Sequence, residues 1–145
     1  MRIVVATVSE IDDLALLLAA QFEEHSIAFD QGLLRAAIRG AASQPARGEF
    51  LLARDDRSLG LAYLAYTWTL EHGGLSAWLE ELYVIPEARS QGIGSRLLRS
   101  AMAHAKTAGC AAIDLEVASD HARAAHLYAR AGFLQHQRAR WYLNL

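Results

Sequence analysis

The sequence predicts a single α/β (or α+β) domain, with a mixed, largely antiparallel central sheet flanked by helices. Three observations support this fold class. The chain has 145 residues, 53% of them hydrophobic, which is enough for one core of ordinary size. Segments with strand and helix periodicity alternate along the chain. Short turns join most of them, and the predicted element order over residues 1–145 is βααβββαβαββ.

The first half of the chain is predicted to contain one strand, two helices and three further strands. The first strand is RIVVAT, and Ser9 followed by Asp12 is a capping signal for a helix that ends near Glu24. A second helix is predicted over residues 31–42. Three antiparallel strands then follow, joined by the turns DDRS and EHGG: EFLLAR, LGLAYLAYTWTL and LSAWLEELYVI.

The second half is predicted to alternate between helix and strand. A helix is predicted from Gln91 to Thr107, with Gly109 as its stop signal. The segment AAIDLEV follows as a buried strand. A further helix covers residues 120–131 and ends at Gly132. Two strands, FLQHQ and RARWYLNL, are predicted to close the chain.

Composition and motif spacing exclude several functional classes. A net charge of −2 argues against nucleic-acid binding. No apolar stretch approaches the roughly 20 residues of a membrane span, and the N-terminus lacks the pattern of a signal peptide, so a cytoplasmic protein without a membrane partner is expected. Cys110 is the only cysteine, which excludes an internal disulfide. His121 and His126 lack the HExxH spacing of a zinc helix, so no metal site is predicted.

A glycine-rich turn, ARSQGIGSRLL, lies between a predicted strand and a predicted helix. Such a turn leaves N–H groups unpaired at the positive end of the helix, and Gly92 and Gly94 let a phosphate approach the main chain closely. Arg89 and Arg96 add positive charge. The turn has Leu97 where a dinucleotide fingerprint has its third glycine, and it lacks the Lys-Ser/Thr pair of a nucleoside triphosphate loop. A diphosphate ligand of another kind is therefore predicted.

The RxxGxG pattern from Arg89 to Gly94 resembles the GNAT superfamily of acetyl-CoA-dependent N-acetyltransferases, and HLYARAGF at residues 126–133 resembles the second signature of that family. The resemblance implies the GNAT fold, acetyl-CoA as cosubstrate and a primary amine as acceptor. That amine is a polyamine, an aminoglycoside, an amino acid or a peptide N-terminus. The resemblance also leaves a homodimer open as the assembly. A non-catalytic acyl-CoA-binding sensor module is the alternative, since it would keep the same turn.

The resemblance further implies which residues contact the cosubstrate. Three strand residues would form main-chain hydrogen bonds with pantetheine, and the amides of the turn would hold the pyrophosphate. His121 stands where the family often has asparagine, and its imidazole ring would contact CoA with a different shape and with different hydrogen-bonding groups from those of an amide. The implied cosubstrate-binding residues are Leu82, Tyr83, Val84, Arg89, Ser90, Gln91, Gly92, Ile93, Gly94, Ser95, Arg96 and His121.

Acetyl transfer to an amine needs a base, because an alkylammonium with a pKa of about 10.4 is almost fully protonated at pH 7. Strand alternation places Glu80 and Glu81 on opposite faces, and Glu80 is favoured because the acid of similar enzymes shares its parity; a bulge would exchange the two. Glu116 is a competing base, because IDLEVASDH resembles the LEVRxSN stretch of N-terminal protein acetyltransferases. The resemblance makes Tyr128 the proton donor to the departing thiolate.

Overall fold

A computed structural model describes all 145 residues, and the chain divides into two compact units, residues 1–115 and residues 116–145. The first unit contains the whole sheet and three helices, and the second contains one helix. None of the helices has the length and apolar character needed to cross a bilayer.

The elements of the first unit confirm the predicted order up to its fifth strand. Short 3-10 turns at Val8–Glu10 and Pro86–Ala88 precede the first and third helices. The element bounds are β1 Arg2–Ala6, α1 Ile11–Glu24, α2 Gln31–Ala42, β2 Gly48–Arg54, β3 Ser58–Thr69, β4 Gly74–Val84, α3 Ile93–Thr107 and β5 Ile113–Asp114.

The five strands form one sheet in the order β1-β2-β3-β4-β5. The first four strands are antiparallel neighbours, whereas β4 and β5 are parallel. A parallel pair needs a crossover connection, and α3 provides it. The predicted mixed, largely antiparallel sheet flanked by helices is therefore confirmed.

The core lies on both faces of this sheet. The helices α1 and α2 cover one face, where Leu14 and Ile38 join Phe50, Leu61 and Tyr83 in one apolar cluster. The alternate residues of β2 and β3 point to the other face, and α3 packs there against β2, β3 and β4. The C-terminal half of α1 lies against the end of β4.

The N-cap of α1 is Glu10, whose side chain does not cap this helix, and the capping box lies in the preceding 3-10 turn instead. Thr7 is extended and accepts a hydrogen bond from the Ser9 N–H at 3.3 Å, while the Glu10 carboxylate accepts one from the Thr7 N–H at 2.7 Å. Ser9 already lies inside the 3-10 turn, so it cannot serve as the N-cap. The capping box is therefore Thr7 and Glu10, two residues earlier than the predicted Ser9 and Asp12.

The second unit corrects the end of the predicted topology. It contains α4 (Ala122–Arg130), while residues 131–145 form neither helix nor strand, so the prediction of strands FLQHQ and RARWYLNL is wrong. A strand needs a neighbouring strand to pair its main-chain groups, and no ladder forms here; Trp141 and Tyr142 are 91% and 87% exposed. Likewise β5 keeps two half-buried residues of the predicted buried strand AAIDLEV, because it pairs with β4 at two positions.

Candidate active site

A β-bulge in β4 lies at the two adjacent acids. Tyr63 of β3 pairs with Glu81, and Leu64, the next residue of β3, pairs with Leu79, so Glu80 is the extra residue of β4 in this ladder. The bulge breaks the simple alternation expected of an uninterrupted strand. Glu80 is exposed, whereas Glu81 is half-buried on the side of the sheet that α1 covers.

Glu81 has the more strongly perturbed environment of the two. Gln21 of α1 donates a hydrogen bond from Nε2 to Glu81 Oε2 at 2.7 Å. Burial raises the pKa of Glu81 from its ordinary 4.5 to about 7; the nearby charge of Glu80 acts in the same direction, and the Gln21 hydrogen bond opposes both. A carboxyl group that changes its charge near neutral pH is suited to accept a proton during a reaction.

The outer edge of β4 extends beyond its ladder with β5. The two strands pair only at Ala77–Ile113 and Trp78–Asp114, although β4 continues to Val84. The main-chain groups of residues 79–84 on this edge therefore lie outside the β4–β5 ladder. They include Leu82, Tyr83 and Val84, for which the family resemblance implies main-chain bonds to pantetheine, and an extended ligand can pair with such an edge as an added strand would.

The turn between β4 and α3 has the geometry of an anion site. Ser90 and Gly92 adopt left-handed backbone conformations, with φ of 64° and 77°. Gly92 is the N-cap of α3 and carries no side chain, so no side chain caps the first N–H groups of the helix. A Cβ at Gly92 would meet no heavy atom within 4 Å. Glycine is therefore favoured here by the positive φ and not by lack of space. These main-chain donors lie at the positive end of α3, where an anion is favoured.

The two arginines of the turn already have partners. Arg89 donates to the main chain at the end of β4 at 2.9 Å and to Glu24 Oε2 at 2.6 Å, and its guanidinium lies 5.6 Å from the centre of the Tyr83 ring. The hydrogen bond with Arg89 lowers the pKa of Glu24. Arg89 thus fastens the turn to α1 and β4. Arg96 donates to the Met1 carbonyl oxygen at 3.4 Å and is exposed.

The remaining predicted site residues belong to the second unit. Tyr128 is half-buried on α4, with its ring edge-on to Phe133 at 5.8 Å between centroids. His121 precedes the first residue of α4 and is exposed. Glu116 accepts a hydrogen bond from Arg140 Nη1 at 3.1 Å, and its side chain is 57% exposed. Glu116 therefore lacks the buried setting of Glu81.

Sequence reasoning missed Gln21 and Glu24, the two α1 residues that contact the site. Gln21 lies 60 positions before Glu81. One signal was present, because Gln21 continues the helical spacing of the buried Leu14 and Leu18, and a polar side chain in an apolar stripe needs a partner. No local pattern indicates which residue that partner is.

The acetyltransferase (GNAT) family model matches residues 11–133 of this chain. The chain belongs to this family. The matched segment includes the bulge, the glycine turn and α4, and the family uses acetyl-CoA as cosubstrate.

Two characterised relatives share part of the sequence. The aminoglycoside N(6')-acetyltransferase type 1 of Klebsiella aerogenes is 34% identical over 102 residues, which cover 68% of this chain and 66% of that enzyme. The thialysine N-epsilon-acetyltransferase of Mus musculus is 36% identical over 74 residues, which cover 50% of this chain and 41% of that enzyme. The matched segments therefore span just under two thirds and about two fifths of these relatives.

A solved structure shows the same fold. An integron cassette protein from the mobile metagenome of Cole Harbour Salt Marsh superposes with a TM-score of 0.88, covering 99% of this chain and 90% of that one. Its sequence is 24% identical, so the likeness concerns the fold alone.

Proposed function

We propose that this GNAT family member transfers the acetyl group of acetyl-CoA to a primary amine of a small molecule, with Glu81 as general base. The proposal treats residues 1–145 as one acetyltransferase domain. The observation that carries it is the half-buried Glu81 carboxyl, whose pKa is about 7, beside a strand edge that can pair with an extended ligand.

The residues of the first unit fit acetyl-CoA. The main-chain donors of residues 91–95 suit its pyrophosphate, since a left-handed glycine and an uncapped helix start leave them available. Leu82, Tyr83 and Val84 offer main-chain groups to the pantetheine arm. Acetyl-CoA supplies the reaction with an activated acyl thioester. Arg89 is paired with Glu24, so it holds the turn in place rather than serving as a separate cation for the pyrophosphate.

The base is assigned to Glu81 rather than to the predicted Glu80. The acceptor arrives as an ammonium and must lose a proton before its nitrogen can attack the thioester, and Glu81 takes that proton directly or through water. Half of the Glu81 carboxyls are ionised near pH 7, so the group is both available and basic enough at that pH. Glu80 acts on this site as a neighbouring negative charge.

Tyr128 is proposed as the general acid that protonates the CoA thiolate as it leaves. It lies on α4, five residues before Phe133, within the HLYARAGF stretch that resembles the second signature of the family, and its side chain is half-buried. A tyrosine hydroxyl is a hydrogen-bond donor and can pass its proton to a departing thiolate.

The acceptor is proposed to be a cationic small-molecule amine. Glu80 and Glu81 together place two carboxyl groups at the bulge, and these attract an ammonium. The names of the two relatives specify an aminoglycoside and thialysine as their substrates. Polyamines, amino acids and peptide N-termini have the same reactive group and belong in the same screen.

A product screen tests the proposal. The purified protein and acetyl-CoA are incubated with aminoglycosides, lysine analogues, polyamines, amino acids and short peptides, while thiol release and the mass of each amine are followed. Acetylation of a small amine that is lost in Glu81→Gln is the expected result. Acetyl-CoA binding without turnover on any amine would instead support the acyl-CoA-binding sensor module. Failure to bind acetyl-CoA would overturn both functions.

A further inference from the structure

Gln21 is a polar residue at the C-terminal end of the apolar face of α1, and the only hydrogen bond of its side chain is with Glu81. Its Nε2 donates to Glu81 Oε2 at 2.7 Å, while its Oε1 is buried and accepts no hydrogen bond. A buried carbonyl oxygen without a donor reduces stability. Methionine would fill a similar volume without this cost, so packing does not explain a glutamine here, and its bond to Glu81 does.

We propose that Gln21 is a positioning residue for Glu81: its amide holds Oε2, stabilises the ionised carboxylate and leaves Glu81 Oε1 as the oxygen that receives the proton. The inference rests on the proposed function, in which Glu81 is the base. It adds a role for α1, which lies outside the two sequence motifs, RxxGxG and HLYARAGF, that resemble the family's signatures.

The groups that surround Glu81 show why this donor matters. Burial and the negative charge of Glu80 on β4 both raise the pKa of Glu81, and the Gln21 hydrogen bond is the influence that lowers it. Tyr63 of β3, which pairs with Glu81, has its own pKa raised by burial and by Glu80, so it remains neutral. Glu24, one turn further along α1, is engaged by Arg89. Gln21 therefore keeps Glu81 ionisable at neutral pH against two opposing influences.

Gln21→Met tests this role through the pH dependence of the reaction. Loss of a hydrogen bond to a charged group should move the acid limb of the kcat/KM profile about one pH unit higher. The variant should therefore be about tenfold slower than wild type at pH 6 and close to wild type at pH 9, with an unchanged KM for acetyl-CoA. Gln31→Met, at the exposed first position of α2, is the matched control and should leave the profile in place.

A titration without acetyl-CoA separates this inference from the proposed function. The Glu81 side-chain carboxyl signal is assigned by its loss in Glu81→Gln and followed by carbon NMR across pH. Its midpoint should rise by about one unit in Gln21→Met and fall in Gln21→Lys, where a cation replaces the amide. An unchanged midpoint in these variants overturns the role of Gln21, whatever the activity. A shifted midpoint with an unshifted rate profile overturns Glu81 as base, and with it the role proposed for Gln21.

Discussion

At the scale of single residues, Glu80 and Glu81 show that two identical neighbours can have different chemistry. The bulge places Glu80 in solvent and Glu81 against α1, so only Glu81 is partly removed from water. Desolvation disfavours the charged carboxylate, and the charge of Glu80 adds to that effect. The charge of the exposed Glu80 thus contributes to the raised pKa of the half-buried Glu81.

Replacing Glu81 should remove most of the catalytic rate. Glu81→Gln keeps the shape of the side chain but cannot accept a proton, so kcat should fall about 100-fold or more. Glu80→Gln is the matched control: it should retain most of kcat and move the acid limb of the kcat/KM profile slightly lower, because one repelling charge is gone. Steady-state rates from pH 5.5 to 9 measure both effects. A larger loss in Glu80→Gln would return the base to Glu80.

Glu81→Gln should also stabilise the fold at alkaline pH. Unfolded Glu81 loses its proton near pH 4.5, whereas the folded group keeps it to about pH 7, so stability falls as pH rises between these values and stays reduced above them. Glu81→Gln should therefore exceed wild type by about 2 kcal/mol at pH 8, allowing for solvent screening, and match it at pH 4.5. Urea unfolding at both pH values measures this, and an equal difference at both would contradict it.

Tyr128→Phe should slow the chemical step while leaving the ring packing intact. The variant keeps the edge-on contact with Phe133 but loses the hydroxyl, so kcat should fall by one to two orders of magnitude, roughly. Single-turnover measurements with saturating acetyl-CoA isolate this step. Tyr142→Phe, an exposed tyrosine of the same unit, serves as control. A wild-type rate in Tyr128→Phe would remove the proposed acid.

At the scale of elements, the glycine turn could be predicted from the sequence, whereas the register between β3 and β4 could not. The glycine turn could be placed from the sequence because glycines, a preceding strand and a following helix are all local signals. The bulge depends instead on how β4 pairs with β3, a strand that ends five residues before β4 begins. Successive residues of β3 pair with Glu81 and then with Leu79. For the same reason the sequence indicated an acid in β4 and favoured Glu80, whereas the base we propose is its half-buried neighbour Glu81.

The two ends of α3 offer a matched test of the turn. Gly92 and Gly109 flank this helix with φ of 77° and 88°, and an added Cβ meets no heavy atom within 4 Å at either position. Each change to alanine should cost about 1 kcal/mol of stability from backbone strain. Only Gly92→Ala should weaken acetyl-CoA binding, by several-fold, because only Gly92 adjoins the main-chain donors. Calorimetric titration measures the affinities, and equal losses in both variants would contradict the site.

At the scale of the whole molecule, hydrophobic periodicity predicted the sheet and its helices, because one face of each element is apolar. It failed at residues 131–145, where the alternation of RARWYLNL is real but no neighbouring strand pairs with it. The Gln21–Glu81 contact was equally beyond reach, since it joins residues 60 positions apart through packing alone. Periodicity indicates which face is buried, and the fold decides what lies against it.

Quenching of tryptophan fluorescence distinguishes the predicted and observed C-terminal segments. Trp141 is 91% exposed, so acrylamide should quench it almost as efficiently as a tryptophan in a short peptide. The comparison of wild type with Trp141→Phe isolates its contribution, and Trp68, which is 74% exposed on β3, provides an internal reference through Trp68→Phe. Protection of Trp141 would show that the segment pairs as the sequence suggested.

The bulge also has a consequence for chain length. Two residues of β4 occupy the length that one residue of β3 occupies, so β4 has about 3.3 Å of surplus contour and must bend to absorb it. Deletion of Glu80 alone would therefore leave every other β4 side chain on its present face while giving both strands equal contour. The surplus residue sits only two positions beyond the last β4–β5 pair. Glu80 thus gives β4 additional length at the point where its pairing with β5 has ended.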